Sequence, residues 1–347
     1  MPWTKVYLNV EEMADTLQKE GLRGISYHEA ILEAQAQAME SDDRVFIMGE
    51  GVDDPGGIFG TTLGLAERFG KDRVMDIPVA ENAMTGIAIG AATVGMKPVF
   101  VHMRNDFLPM CMDQLVNHAA KLCYMTGGRL HVPLVVRAII GRGWGSAAQH
   151  AQAFHALFMH IPGLKVVMPS TPYDAKGLFL AALDDGNPVM FIEHRWTFNA
   201  VGYVPEEMYR VPLGEGIIRR EGEDVTIVAL SQQVYEAMKA AAILEADGIS
   251  VEVVDPRTLK PLDEELILSS VSKTRRLVIA DVAHRTGSVG AEIVCRIAET
   301  SADILVAPIR RVCFPDTPIP ASPVLEEAFY PGADDIVEAV REIVKGS

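Results

Sequence analysis

Glu81 sits in the run Pro78-Val79-Ala80-Glu81-Asn82-Ala83-Met84-Thr85-Gly86-Ile87-Ala88-Ile89-Gly90-Ala91, where an apolar strand pattern gives way to an Ala- and Gly-rich helical one. The carboxyl ends of strands are where parallel α/β folds place functional side chains. A lone glutamate there would complement the helix dipole, a use worth only ~0.3–1 kcal/mol. Gly86 and Gly90 share one helix face and would let another backbone approach closely, or simply serve packing within the subunit. Burial against Ile77, Val79 and Met84 would favour a carboxyl able to hold or share a proton at neutral pH, the property an acid–base group needs.

Two further segments offer polar chemistry. His150 follows the glycine-rich turn Gly141-Arg142-Gly143-Trp144-Gly145-Ser146, where an imidazole titrating near neutrality could move protons. His155 and His160 are read as structural histidines. The turn lacks the Gly-Lys-Ser/Thr ending of a phosphate-cradling loop and is read as the wall of a site. In His102-Met103-Arg104-Asn105-Asp106-Phe107, Arg104 could recognise a carboxylate or phosphate bidentately, or pair with Asp106 or a partner residue.

Glu81, a four-residue gap, Gly86 followed by an apolar residue, and Gly90 followed by another match the signature around the activating glutamate of thiamine-diphosphate enzymes. From about residue 25 to its end the sequence resembles the beta subunit of the decarboxylating component of 2-oxoacid dehydrogenase complexes. Further matching blocks are Asp113-Gln114-Leu115-Val116-Asn117, Ala148-Gln149-His150, Pro162-Gly163-Leu164-Lys165-Val166-Val167, Asp174-Ala175-Lys176-Gly177-Leu178 and Gly290-Ala291-Glu292-Ile293. The resemblance implies that Glu81 hydrogen-bonds the aminopyrimidine of thiamine diphosphate and that Phe107 packs on that ring. It places Glu50, in Met48-Gly49-Glu50-Gly51, at the pyrimidine end and His150 facing the active-site channel. Leu134, Ala182, Asp185 and Asn187 match positions around a monovalent cation, K+, although Asp184-Asp185-Gly186-Asn187-Pro188 also reads as a helix-ending turn.

The Gly-Asp-Gly that marks the Mg2+ and diphosphate half of such sites does not occur in this chain. The resemblance therefore implies a separate alpha chain holding Mg2+, an α2β2 heterotetramer with the cofactor at the interface, a 2-oxoacid substrate, and a lipoylated acyltransferase accepting the acyl group. Family members usually carry Thr-Phe-Asn or Phe-Ala-Asp before the stacking aromatic. The polar run 102 to 106 departs from that and points to another substrate or acceptor. One rival is thus a stand-alone, transketolase-like or acyloin-forming synthase passing the enamine to an aldehyde or sugar. The other is a non-catalytic regulatory partner subunit, for which Glu81 would have no use.

Near-continuous apolar strands at 45–48, 74–77, 99–101, 134–136, 166–168 and 189–192 alternate with helices at 82–95, 107–125 and 172–185. This predicts a doubly wound α/β domain with a parallel sheet covered on both faces, spanning 25–195 and binding the pyrimidine. An N-terminal extension, 1–24, lies on the body or on a neighbour, and 196–215 forms a linker. A smaller doubly wound domain of transketolase C-terminal type, 216–347, has strands at 225–228, 251–254, 277–280 and 304–306, with helices at 232–246, 263–272, 288–300 and 334–345. With 347 residues, 49% of them hydrophobic, the chain can fill two cores. Its formal net charge of -16 argues against nucleic-acid binding. Cys111, Cys123, Cys295 and Cys313 have no metal or disulfide-framework spacing, which fits a reducing cytoplasm. Neither a signal peptide nor an apolar run of about 18 residues is present.

Overall fold

The computed structural model describes residues 1–142 and 145–345. Seven strands form the larger sheet, in the spatial order Thr258–Lys260, Lys165–Val167, Val189–His194, Val135–Ile140, Lys97–His102, Val45–Gly49, Val74–Asp76. All pair in parallel except Thr258–Lys260, which is antiparallel and comes from the C-terminal part of the chain. The central strands are buried along their full length because helices cover both faces, which is why they read as largely apolar runs, Arg137 and Glu193 excepted. The smaller sheet runs Arg310–Phe314, Leu277–His284, Val225–Ala229, Val251–Asp255, Ile217–Arg220, with only the last strand antiparallel.

Two expected elements differ. Residues 304–306 form no strand; the edge strand is Arg310–Phe314, which opens on two arginines rather than running apolar throughout. The helix expected over 107–125 is a broken rod: a 3-10 segment Asn105–Cys111 containing Pro109, a π-helical turn Gln114–Ala119, then the α-helix Ala120–Met125. Proline removes a backbone donor and prevents one continuous α-helix.

The extension carries a helix, Val10–Glu20, capped by Asn9 and packed through Met13 and Leu17 on the ribbon of Gly24–Ser26 with Val201–Tyr203. The sheets are joined by buried charge. Asp174, on the helix Pro172–Asp184, is held by Arg219 and by Arg257 Nη1 at 3.1 Å. His155 Nε2 meets Asp281 Oδ1 at 2.9 Å, with both side chains fully buried.

Candidate active site

The close approach of two strands begins the site. A Cβ on Gly49 would lie 2.5 Å from the Val101 carbonyl oxygen, so only glycine lets Val45–Gly49 and Lys97–His102 end side by side. Glu50 leaves the first of these ends, and His102 to Arg104 leave the second. Glu81 opens the helix Glu81–Thr93, whose preceding residue, Ala80, has no capping side chain. The glutamate is 6% exposed and lies among the unpaired amides of that first turn, which favour a carboxylate.

These segments enclose a cavity of about 40 Å³ lined by Glu50, Glu81, His102, Arg104 and Phe107, with Ile77, Phe100 and Val101 as apolar wall. Burial, then the charges of Glu81 and Asp76, holds the half-buried Glu50 carboxyl above the ordinary range. Burial brings His102 down to about 4, so it is neutral, and its Nε2 has no hydrogen-bond partner. Burial, reinforced by Glu81, lifts the Cys111 thiol to about 11, leaving it inert. Ile77 lines the same cavity as Glu81, and Met84 packs partly buried against the core, whereas Val79 is 77% exposed.

His150 stands edge-on to Phe107, ring centroids 5.3 Å apart. It follows the turn Ala147–Gln149, where Ala147 holds φ 54°, a conformation unfavourable for a residue with a Cβ. Glu50, Glu81, Phe107 and His150 are thus brought together around one opening. Of the wall loop expected before His150, Gly143 and Trp144 lie outside the described residues, while Arg142 stacks on Trp196 and Tyr330, 4.2 and 4.7 Å from their centroids.

Arg104 makes no ion pair with Asp106, which instead accepts from Gln152 N and Nε2 through Oδ1. Of the other cavity residues, His102 carried no expected role, and for Arg104 the sequence left an anion site and an ion pair both open. The signal was the departure of the run 102 to 106 from the usual Thr-Phe-Asn or Phe-Ala-Asp. His155 is structural, through Asp281. A larger cleft, about 680 Å³, lies elsewhere, between Met159–His160, Lys260–Leu262 and Gly287–Arg296, and none of the expected site residues lines it.

Leu134, Ala182, Asp185 and Asn187 cluster at the opposite end of the strands. The Leu134 carbonyl accepts from Val189 N at 2.9 Å and that of Ala182 from Asp185 N at 3.4 Å. The Asp185 carboxylate is held by Lys165 Nζ and, at 3.3 Å, by Asn187 Nδ2. Lys165 is thus the cation paired with the Asp185 carboxylate.

One face of the Glu81 helix remains uncovered. Ala83, Ile87, Gly90 and Val94, spaced as one helical stripe, are all exposed, Val94 by 81%. No helix among the described residues is long and apolar enough to cross a membrane.

A glutamate opening a helix at the carboxyl edge of a parallel sheet, with a second α/β unit behind it, defines a transketolase-type pyrimidine-binding chain. Residues 23–199 match the family model described as "Transketolase, pyrimidine binding domain", and 214–336 match "Transketolase, C-terminal domain". The chain is 46% identical over 334 residues to the acetoin:2,6-dichlorophenolindophenol oxidoreductase subunit beta of Bacillus subtilis, covering 93% of this chain and 98% of that protein. It is 42% identical to the 2-oxoisovalerate dehydrogenase subunit beta of the same organism, covering 92% and 99%. To the pyruvate dehydrogenase E1 component subunit beta of Rickettsia felis it is also 42% identical, covering 92% and 98%. A solved structure described as a split-gene transketolase, inactive beta4 tetramer, superposes with a TM-score of 0.74 at 26% identity, covering 93% of this chain and 99% of that one. The chain belongs to the family of thiamine-diphosphate-dependent 2-oxoacid dehydrogenase beta subunits.

Proposed function

We propose that this chain forms the pyrimidine half of a two-chain active site that decarboxylates a 2-oxoacid and passes the acyl group to a lipoyl acceptor. The observation that carries this reading is the single cavity shared by Glu50, Glu81 and Phe107, with His150 at its rim. Its donor set suits an aminopyrimidine: two carboxyls for ring nitrogens, an aromatic face, and a neutral imidazole without a partner.

When bound, thiamine diphosphate supplies the carbon nucleophile and the electron sink. Glu81, buried at a helix N-terminus, would hold a proton against a ring nitrogen and so set the tautomer. Glu50, whose carboxyl is pushed above the ordinary range by burial and by Glu81, would bond the same end of the ring. Phe107 offers a face for stacking, and Ile77, Phe100 and Val101 keep water from the carboxyls. His150, exposed beside Phe107, would bind the substrate carboxylate and carry protons.

An alpha chain would supply Mg2+ and the diphosphate contacts in an α2β2 assembly. The absence of Gly-Asp-Gly supports this, as does the uncovered stripe Ala83, Ile87, Gly90, Val94. A related beta chain described as an inactive tetramer on its own points the same way. The four free thiols suit a cytoplasmic location.

The test is purification of the chain from its native cells, with its partners identified by mass spectrometry, followed by assay of carbon dioxide release from 2-oxoacids. A stoichiometric partner carrying Gly-Asp-Gly, and activity only with it, is the expected result. No partner and no decarboxylation would overturn the reading.

A further inference from the structure

Four arginines are buried among the described residues: Arg104, Arg137, Arg219 and Arg257. Three are matched by acid: Arg137 by Glu193, Arg219 by Asp174 and Asp255, Arg257 by Asp174. Arg104 is the exception. At 7% exposure its contacts are neutral: Nη1 donates to the Gly141 carbonyl at 2.7 Å, Nη2 reaches Ser146 Oγ at 3.5 Å, and the Phe59 ring lies 6.0 Å from the guanidinium. No carboxylate of the described residues comes within 4 Å. Burying a guanidinium without a counter-charge is costly, and here it lines the cavity beside Glu81 and Phe107. The Asp106 carboxylate acts on it only from beyond ion-pair reach and is engaged by Gln152, while Arg195 nearby adds like charge.

Building on the decarboxylase reading above, we propose that Arg104 is a specificity-determining residue that binds a substrate carboxylate at the inner wall of the site and selects anionic 2-oxoacids over neutral acyloins. The planar guanidinium can present a two-pronged donor edge to a carboxylate, and the Gly141 carbonyl fixes its orientation. Gly141 is itself constrained: at φ +87° its Cβ would lie 2.7 Å from the His194 ring, so the carbonyl that orients Arg104 needs glycine at this position.

The test uses the complex reconstituted with its alpha chain, thiamine diphosphate and Mg2+. Binding of oxamate, an unreactive carboxylate mimic of a small 2-oxoacid, is measured by calorimetry for wild type, R104K and R104Q. Kinetics with the preferred 2-oxoacid and with acetoin accompany it. Loss of one charged hydrogen-bonded contact should weaken oxamate roughly 10- to 100-fold in R104Q, with R104K intermediate. The rise should fall on KM for the 2-oxoacid, and the 2-oxoacid to acetoin ratio of kcat/KM should drop. Oxamate bound equally well by R104Q, equal losses on both substrates, or no oxamate binding by wild type would each overturn the proposal. A wild-type complex that binds oxamate, and loses it in R104Q, yet releases no carbon dioxide would refute the decarboxylase reading while upholding Arg104 as a carboxylate site. R104K, which keeps the charge, supplies the comparison if R104Q does not fold.

Discussion

Glu50 and Glu81 face one cavity from the ends of two neighbouring parallel strands, and burial together with the Glu81 charge raises the pKa of the Glu50 carboxyl. E81Q is isosteric and leaves the helix start intact. It should reduce kcat by about 10²–10⁴-fold while leaving the thermal midpoint nearly unchanged. Steady-state decarboxylation and calorimetric unfolding of the same preparation check this, and a large fall in stability would reassign Glu81 to a structural role.

Much of this site was legible because local chemistry and the fold agree there. Glu81 lies at a strand-to-helix junction that the apolar pattern marks, whereas Glu50 and Phe107 were assigned through the family resemblance, and the fold brings all three to one edge of the sheet. Arg104 was visible as a departure but could not be assigned, since its environment depends on Gly141 and Ser146, some forty residues away. Arg137 was hidden inside a strand read as apolar, because its partners Glu193, Gln35 and Thr61 come from three other segments. The edge strand Arg310–Phe314 was missed because an edge strand needs no continuous apolar run.

The raised Glu50 pKa has a stability consequence with a definite sign. The folded chain binds the Glu50 proton more tightly than the unfolded chain does. Its contribution is therefore fully present below the unfolded carboxylate pKa, ~4.3, and is lost as pH rises through the higher folded value. E50Q removes that loss. It should be stabilised relative to wild type at pH 7 but not at pH 4, by less than about 1 kcal/mol because solvent screens a half-exposed group. Denaturant midpoints at the two pH values decide it, and a larger gain at pH 4 would contradict the assignment.

The stripe on the Glu81 helix separates folding from assembly. A Cβ on Gly90 meets nothing within 4 Å in the isolated chain, and Gly90 is not in the left-handed region. G90L should therefore fold, with a small gain of about 0.5–1 kcal/mol from helix propensity. A partner backbone packed on that face would have no room for leucine. Size-exclusion and sedimentation profiles should show wild type assembling with its partners and G90L failing to do so; equal assembly would free this face from the interface.

Arg137 and Glu193 form a fully buried pair, with Arg137 Nε and Nη2 on the two carboxylate oxygens at 2.8 and 3.0 Å. R137M strands a buried carboxylate and should cost about 3–5 kcal/mol in equilibrium unfolding. The double variant R137M/E193L removes both charges and should recover most of that loss. If the double variant is as unstable as the sum of the single ones, the cost lies in packing rather than in the unpaired charge.

His102 gives the chain an acid-side weakness. Burial brings its pKa from 6.5 to about 4, so the unfolded chain takes up a proton that the folded chain refuses. The stability it contributes is present above pH 6.5 and is lost as pH falls through the window from 6.5 to 4, by roughly 3 kcal/mol at most. His194, brought to about 3 by burial and then by Arg104 and Arg142, adds a second loss in the same direction. H102F places an apolar ring beside Phe100, whose ring centroid lies 4.3 Å from that of His102, and removes one of the two titrations. The slope of unfolding free energy against pH between 6.5 and 4 should therefore be shallower in H102F than in wild type, with the two curves parallel above pH 7. Parallel curves throughout would mean that His102 takes up its proton in the folded chain at the same pH as in the unfolded one, which would overturn the burial argument.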